Sequence, residues 1–169
     1  MSRPRPPLGH LMALLELRPD DLLVQLGCAC PDQLLALAAL VPLRYQPLVI
    51  EPSPERLAPF ASIPQLRFVA MDLLRFTAFP MQCDRILLEE PYLEDERGAE
   101  LARGLFTRLN PSGRLLAVGR TGPSEGTRSL AAPRRRTDGW VARTLVGAGF
   151  EVRHHEAEPV DLFLGVKSA

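Results

Sequence analysis

The chain has 169 residues, of which 46% are hydrophobic and 24% are charged; this composition excludes a disordered or collagen-like chain. Twenty basic residues balance twenty acidic ones, so no net charge would attract nucleic acid or a membrane surface, and we predict neither as a partner. No apolar run reaches the roughly 18 residues of a membrane span. The length fits one domain over residues 1–169, with a flexible lead at 1–7.

The three cysteines, Cys28, Cys30 and Cys83, are an odd number without the spacing of a secreted disulfide framework. Together with the absence of a signal-peptide pattern, they lead us to expect a soluble, cytoplasmic protein. Their separations match no compact zinc pattern, even when His154 and His155 are added, so we predict no metal site.

Helical and strand-like patterns alternate in the first half of the chain. The strands are short apolar runs, and the helices are marked by apolar spacing or by a proline at their start. In chain order the pattern predicts a helix that begins at Leu8 and ends before the turn at Pro19–Asp21, a strand at Leu22–Leu26, a helix at Asp32–Val41 with Pro31 as its first residue, a strand at Leu48–Ile50, a short helix at Pro54–Ala61 and a strand at Leu66–Met71.

The second half continues the alternation. Leu101, Leu105 and Leu109 repeat every fourth residue and predict a long helix that ends at the turn Asn110–Gly113. The other predicted elements are strands at Asp84–Leu88 and Arg114–Val118, a polar loop at Gly119–Thr137, a helix from Asp138 that Gly149 ends, and strands at Phe150–His154 and Leu162–Val166.

Strands that alternate with helices predict an α/β fold, a doubly wound Rossmann-like sheet that is mostly parallel. The linker between the last two strands is shorter than a parallel crossover needs. We therefore expect the C-terminal strand to run antiparallel to its neighbour.

Four segments in this order resemble class I S-adenosylmethionine-dependent methyltransferases, and the resemblance extends from about Leu8 to the C terminus. They are Leu23–Cys28 as the first strand and glycine loop, Val49–Glu51 as the second strand with its terminal acid, Met71–Asp72 at the end of the third strand, and Leu109–Leu116 as the turn into the fifth strand.

The resemblance implies that the chain binds S-adenosylmethionine. Glu51 would accept hydrogen bonds from the ribose hydroxyls, and Asp72, followed by Leu73, would hold the adenine. From the residues alone, a solvated residue or a helix cap explains Glu51 equally well and explains Asp72 somewhat better. The loop after the first strand would contribute Gln25, Gly27, Cys28 and Ala29.

This loop departs from the family pattern, which has an acid followed by glycines at alternate positions. Gln25 replaces the acid, and Ala29 and Pro31 replace glycines, so only Gly27 remains. A methyl group or a proline ring in such a loop obstructs a closely approaching ligand. These substitutions predict a weakened or closed cofactor pocket.

The turn after the fourth strand usually faces the methyl acceptor in this family. Here it offers Glu89 or Glu90 as a base and Tyr92 as a group that orients the acceptor, although the acidic start of a helix is the better explanation of these residues. Arg134–Arg136 fits a solvated charge run better than a nucleic-acid contact.

Three functions remain open from sequence. The first is a methyltransferase-like protein that binds S-adenosylmethionine and acts on an unknown small-molecule or protein acceptor. The second is a pseudoenzyme, a non-catalytic relative that serves as an interaction module for a protein partner. The third is a nucleotide-binding domain of another doubly wound type.

Overall fold

In the computed structural model, the described residues are 6–27, 31–93, 97–119, 138–157 and 160–168. They form a seven-stranded sheet with helices on both faces. Three predictions fall wholly or mostly outside these residues: those for the lead at 1–7, for Cys28, Ala29 and Cys30, and for the loop at 119–137. No helix in the described ranges is long and apolar enough to cross a membrane.

The sheet has the strand order β3-β2-β1-β4-β5-β7-β6. The first five strands pair in parallel, whereas β7 is antiparallel to both β5 and β6. The predicted α/β fold and its antiparallel C-terminal strand are therefore confirmed. The strands are β1 at Leu23–Leu26, β2 at Leu48–Glu51, β3 at Arg67–Ala70, β4 at Cys83–Glu89, β5 at Leu109–Val118, β6 at Glu151–Ala157 and β7 at Val160–Val166.

Six α-helices cover the sheet in the described part of the chain. The helices α1, α2 and α3 contribute to the cores on one face, and α4, α5 and α6 contribute to the core on the other. They are α1 at Leu8–Leu15, α2 at Pro31–Leu40, α3 at Pro54–Leu57, α4 at Leu73–Ala78, α5 at Gly98–Arg108 and α6 at Asp138–Gly147, with 3-10 turns at Ala58–Phe60 and Glu90–Leu93.

Two local features differ from the sequence prediction. The helix α4 was not predicted, because its six residues are too few to show a clear periodicity. Leu109 was predicted in the helix and Asn110–Gly113 as a turn after it, but α5 ends at Arg108 and β5 begins at Leu109 and includes the turn. The register of β5 against β4 shifts here, and Ser112 has a φ of 62°. The residues that were predicted to form a turn therefore form an irregularity inside β5.

Arg85 on β4 is a buried cation that joins the sheet to the end of α1. Its side chain is only 6% exposed and lies 3.2 Å from the carboxylate of Asp21. It also donates to the carbonyl oxygens of Leu15, at 2.6 Å, and Glu16, at 3.1 Å. Burial lowers the pKa of the Arg85 guanidinium, and the nearby Asp21 carboxylate opposes this shift. The guanidinium therefore pairs with backbone carbonyls that α1 leaves without partners at its end.

We predict that Arg85→Ala lowers the free energy of unfolding by about 3–5 kcal/mol, because it leaves a buried carboxylate and two carbonyl groups without their cation. Urea denaturation measures this change. The matched control is Arg44→Ala, since Arg44 is 71% exposed and pairs with Asp20 only at 3.9 Å; its cost should stay below about 1 kcal/mol. Equal costs for both variants would contradict the role assigned to Arg85.

Cys83 begins β4 and is fully buried. Its Sγ lies 3.7 Å from the carbonyl oxygen of Arg108, and the thiol is free. Burial, followed by the neighbouring Asp84 carboxylate, raises the pKa of the Cys83 thiol to about 12. Since the thiolate is the reactive form, burial and the raised pKa both disfavour reaction of this thiol in the folded protein.

In a Cys28→Ala/Cys30→Ala background, we expect Cys83 to resist alkylation by iodoacetamide at pH 8 until the protein is unfolded. Mass spectrometry of samples with and without urea measures the modification. Modification in native buffer at the rate of a free cysteine would show that the thiol is accessible.

Candidate functional site

The candidate site lies at the carboxyl ends of the parallel strands, where the strand order reverses. The strand β1 is at the reversal, because β2 pairs with one of its edges and β4 with the other. Doubly wound sheets bind their ligands in the crevice at this position. Gly27 follows β1 with a φ of 92°, and its N–H donates to the carbonyl of Ile50 at 2.8 Å. A positive φ favours glycine at this turn.

Gln25 is the first of the predicted loop residues, and it is only 2% exposed. Its Nε2 donates to the carbonyl of Gly27 at 3.0 Å, so it stabilises the turn that follows β1. Its Oε1 is buried without a hydrogen-bond partner. A buried acceptor of this kind costs free energy unless a water or a ligand donates to it.

Pro31 is the first residue of α2, as the sequence predicted. This position tolerates proline because the N–H at the start of a helix has no intrahelical acceptor. The fold therefore accounts for Pro31 without reference to a ligand.

Glu51 ends β2 as predicted, but its carboxylate is occupied by groups of the chain itself. The residue is 1% exposed. Its Oε1 accepts from the N–H of Ser53 at 3.0 Å, and its Oε2 lies 3.0 Å from Nη1 of Arg56. The hydroxyl of Tyr92 donates to Oε2 at 3.4 Å and accepts from Nη1 of Arg56 at 3.2 Å. We call these four residues the Glu51 cluster.

Asp72 caps the helix α4. Its Oδ1 accepts from the N–H groups of Leu74, at 3.0 Å, and Arg75, at 3.2 Å. The guanidinium of Arg97 lies 3.4 Å from its Oδ2, and both side chains are about half exposed. The sequence alternative that made this acid a helix cap is therefore confirmed. Because the carboxylate also faces outward, it can accept a further hydrogen bond.

A cavity of about 210 Å³ lies next to Asp72. It is bordered by residues that follow β2 and β3, by the 3-10 turn after β4, and by α4 and the start of α5. Pockets for drug-sized ligands measure roughly 300–1,000 Å³, so this cavity has room for part of such a ligand. The predicted residues Asp72, Leu73 and Tyr92 share it with Pro52, Leu74, Arg97 and Leu101.

Of the three predicted catalytic residues, Tyr92 borders this cavity. Glu89 is the last residue of β4, and Glu90 begins the 3-10 turn that contains Tyr92. The side chains of the two glutamates lie outside what the structure describes. Tyr92 borders the cavity with its hydroxyl directed to the Glu51 cluster. A role for these residues in catalysis stays a prediction.

The described residues contain no group of three or more His, Cys, Asp or Glu side chains that could hold a metal ion. His154 instead pairs with Asp161 at 3.1 Å and stacks on Phe163. Its neighbour His155 is half buried. This difference in surroundings agrees with alternate faces of a strand.

Solved structures of methyltransferases share this fold. One of them comes from the complex of the Haloferax volcanii Trm112 methyltransferase activator and the putative methyltransferase. It superposes on this chain with a TM-score of 0.75 and 14% identity, over 95% of this chain and 88% of that one. The N-methyltransferase NodS of Bradyrhizobium japonicum WM9 has a TM-score of 0.67 and 19% identity, over 96% and 94%. An O-methyltransferase family protein of Burkholderia thailandensis has a TM-score of 0.68 and 15% identity, over 95% and 56%.

These comparisons establish the fold. They do not establish an activity, because the sequence identities are too low. The chain spans about half the length of the Burkholderia protein and of several other solved neighbours. No protein-family model and no curated protein matches the sequence.

The sequence interpretation missed Arg56 and Arg97, the two arginines that pair with the predicted ligand-binding acids. Arg56 follows Glu51 by five residues across a proline turn, and this spacing allows the short helix α3 to bring it back to the carboxylate. Arg97 is 25 residues from Asp72, and only the packing of α5 beside α4 brings the two together.

The two roles of Asp72 can be separated by substitution. We expect Asp72→Ala to lower the free energy of unfolding by about 1 kcal/mol through loss of the cap, and Asp72→Asn to change it by only a few tenths, since asparagine caps equally well. Urea denaturation of both variants measures this. Similar losses for the two would show that the charge, and not the cap, stabilises α4.

Proposed function

We propose that the chain is a methyltransferase-like protein that binds S-adenosylmethionine at the crevice beside β1. The cavity at the carboxyl ends of the strands is the observation that carries this proposal. It combines an outward-facing carboxylate, Asp72, with the apolar side chains of Leu73, Leu74 and Leu101. A flat base with an exocyclic amine fits this combination, because the amine donates to the carboxylate and the ring packs on the leucines.

The turn after β1 supports the same ligand. Gly27 keeps the positive φ of a glycine loop, and the unpartnered Oε1 of Gln25 can accept from a polar group or from a water at the site. The ribose position does not fit in the same way, because the Oε2 of Glu51 is already bonded within the Glu51 cluster. The residues therefore fit the adenine end of the ligand better than its ribose.

S-adenosylmethionine supplies an electrophilic methyl group when bound. What the chain must add is chiefly the alignment of an acceptor, together with a base where the acceptor loses a proton. In this proposal Glu89 or Glu90 is the base, and Tyr92, at the edge of the cavity, orients the acceptor. The acceptor is a small molecule or a protein.

The Glu51 cluster favours a second function, that of a non-catalytic interaction module. A carboxylate that is 1% exposed and already paired does not present its oxygens to a ribose. The replacement of loop glycines by Ala29 and Pro31 points the same way. The Haloferax volcanii neighbour was solved in a complex with a methyltransferase activator, which supports a protein partner for a chain of this fold.

The proposal also includes a single domain over residues 1–169 and a cytoplasmic location.

We expect S-adenosylhomocysteine to bind the wild-type protein in isothermal titration calorimetry, and we expect Asp72→Asn to weaken this binding about 10-fold. The reason is that a hydrogen bond to a charged acceptor contributes roughly 1.5–3 kcal/mol, more than one to a neutral amide. Leu74→Trp should abolish binding because the indole fills the cavity.

Leu40→Trp is the control for the added indole, since Leu40 is 55% exposed and does not border the cavity; it should bind like wild type. An absence of heat with wild-type protein at millimolar ligand would reject cofactor binding and favour the interaction module.

A further inference from the structure

We infer that Arg56 determines what the ribose position of this site accepts: its guanidinium holds the carboxylate of Glu51, so the site recognises the base of an adenosine ligand without its ribose hydroxyls. This inference rests on the proposed function. It concerns the residues of the Glu51 cluster, which sequence analysis did not connect with one another.

The first step is geometric. Glu51 is at the end of β2, and the chain turns through Pro52 into α3, whose third residue is Arg56. The N–H of Arg56 bonds to the carbonyl of Ser53, and this fixes the turn. The guanidinium is thereby held 3.0 Å from Oε2 of Glu51.

The second step is the difference in exposure between the two partners. The side chain of Glu51 is 1% exposed, whereas that of Arg56 is 39% exposed. Solvent therefore reaches the arginine but hardly reaches the carboxylate. A ligand that is to bond to Oε2 of Glu51 must compete with Arg56 and Tyr92, which already contact this oxygen.

The third step is electrostatic. A buried carboxylate requires a compensating charge, and removal of one partner of a buried ion pair is strongly unfavourable. Two neutral ribose hydroxyls would offer hydrogen bonds but no charge in place of the guanidinium. The exchange of Arg56 for a ribose diol therefore gives little or no gain in binding.

The fourth step is the position of Tyr92. Its hydroxyl belongs to the Glu51 cluster, and its side chain also borders the cavity beside Asp72. The cavity is therefore accessible to a ligand even though the groups of the Glu51 cluster are bonded to one another. A base can enter next to Leu73 and Leu101 without breaking the contact between Arg56 and Glu51.

The test compares dissociation constants for adenosine, 2′-deoxyadenosine and 3′-deoxyadenosine, measured by NMR titration of the full chain. In the wild-type protein we expect the three constants to agree within about twofold, because the hydroxyls do not reach Glu51. In Arg56→Met we expect tighter adenosine binding and a penalty of about 10-fold for each deoxy ligand, as for hydrogen bonds to a charged group.

Two variants serve as controls. Arg44→Met removes an arginine from an exposed ion pair and should behave as wild type. In Glu51→Gln/Arg56→Met the charged acceptor is also removed, and the penalty for the deoxy ligands should fall to about threefold or less.

Each outcome is decisive. A penalty of about 10-fold already present in the wild-type protein overturns the inference while cofactor binding stands, and this reading holds even where Arg56→Met does not fold. The inference is equally overturned where folded Arg56→Met binds all three ligands alike. Where no protein binds adenosine at millimolar concentration, the proposed function fails and the inference fails with it.

Discussion

A charge buried in a protein must be compensated nearby, and this constraint governs both ends of the parallel strands. At the amino ends, Arg85 is enclosed by the carboxylate of Asp21 and by the last carbonyls of α1, so the helix is joined to the sheet by a cation. At the carboxyl ends, Glu51 is enclosed by Arg56 and Tyr92. The first arrangement lies at the opposite end of the strands from the ligand crevice, so its role is to stabilise the fold. The second has the same physical form but lies where doubly wound sheets bind ligands.

The location of the Glu51 cluster links stability to the proposed function. An ion pair that compensates a buried carboxylate also occupies the acceptor that a ribose requires. The cavity beside Asp72 escapes this conflict, since the Asp72 carboxylate is about half exposed and its pair with Arg97 is weakened by solvent. The resemblance assigns Glu51 and Asp72 to the same ligand, but the two acids differ in burial. Glu51 is buried and held in an ion pair, whereas Asp72 is about half exposed.

The sequence predicted the sheet, its direction of pairing and most helices, because these depend on local periodicity and on linker length. It also placed Glu51 and Asp72 at strand ends. It did not predict α4, whose six residues are recognised mainly by the cap at Asp72. Nor did it predict the partners of the two acids. Arg97 is 25 residues from Asp72, and such a pairing depends on how α5 packs, which periodicity does not encode.

The substitutions in the glycine loop and the arginines of the site have one electrostatic consequence in common. Gln25 is neutral where the family that the sequence resembles has an acid, Glu51 is neutralised by Arg56, and Asp72 is partly neutralised by Arg97. A cationic sulfonium binds more strongly near uncompensated carboxylates than near ion pairs. The crevice of this chain therefore offers little attraction for positive charge, and under the proposed function the shape of the cavity and contacts with the base would supply most of the affinity. The loss of uncompensated negative charge weakens the binding of a neutral adenosine ligand less, because a distant carboxylate attracts a neutral molecule far more weakly than a cation.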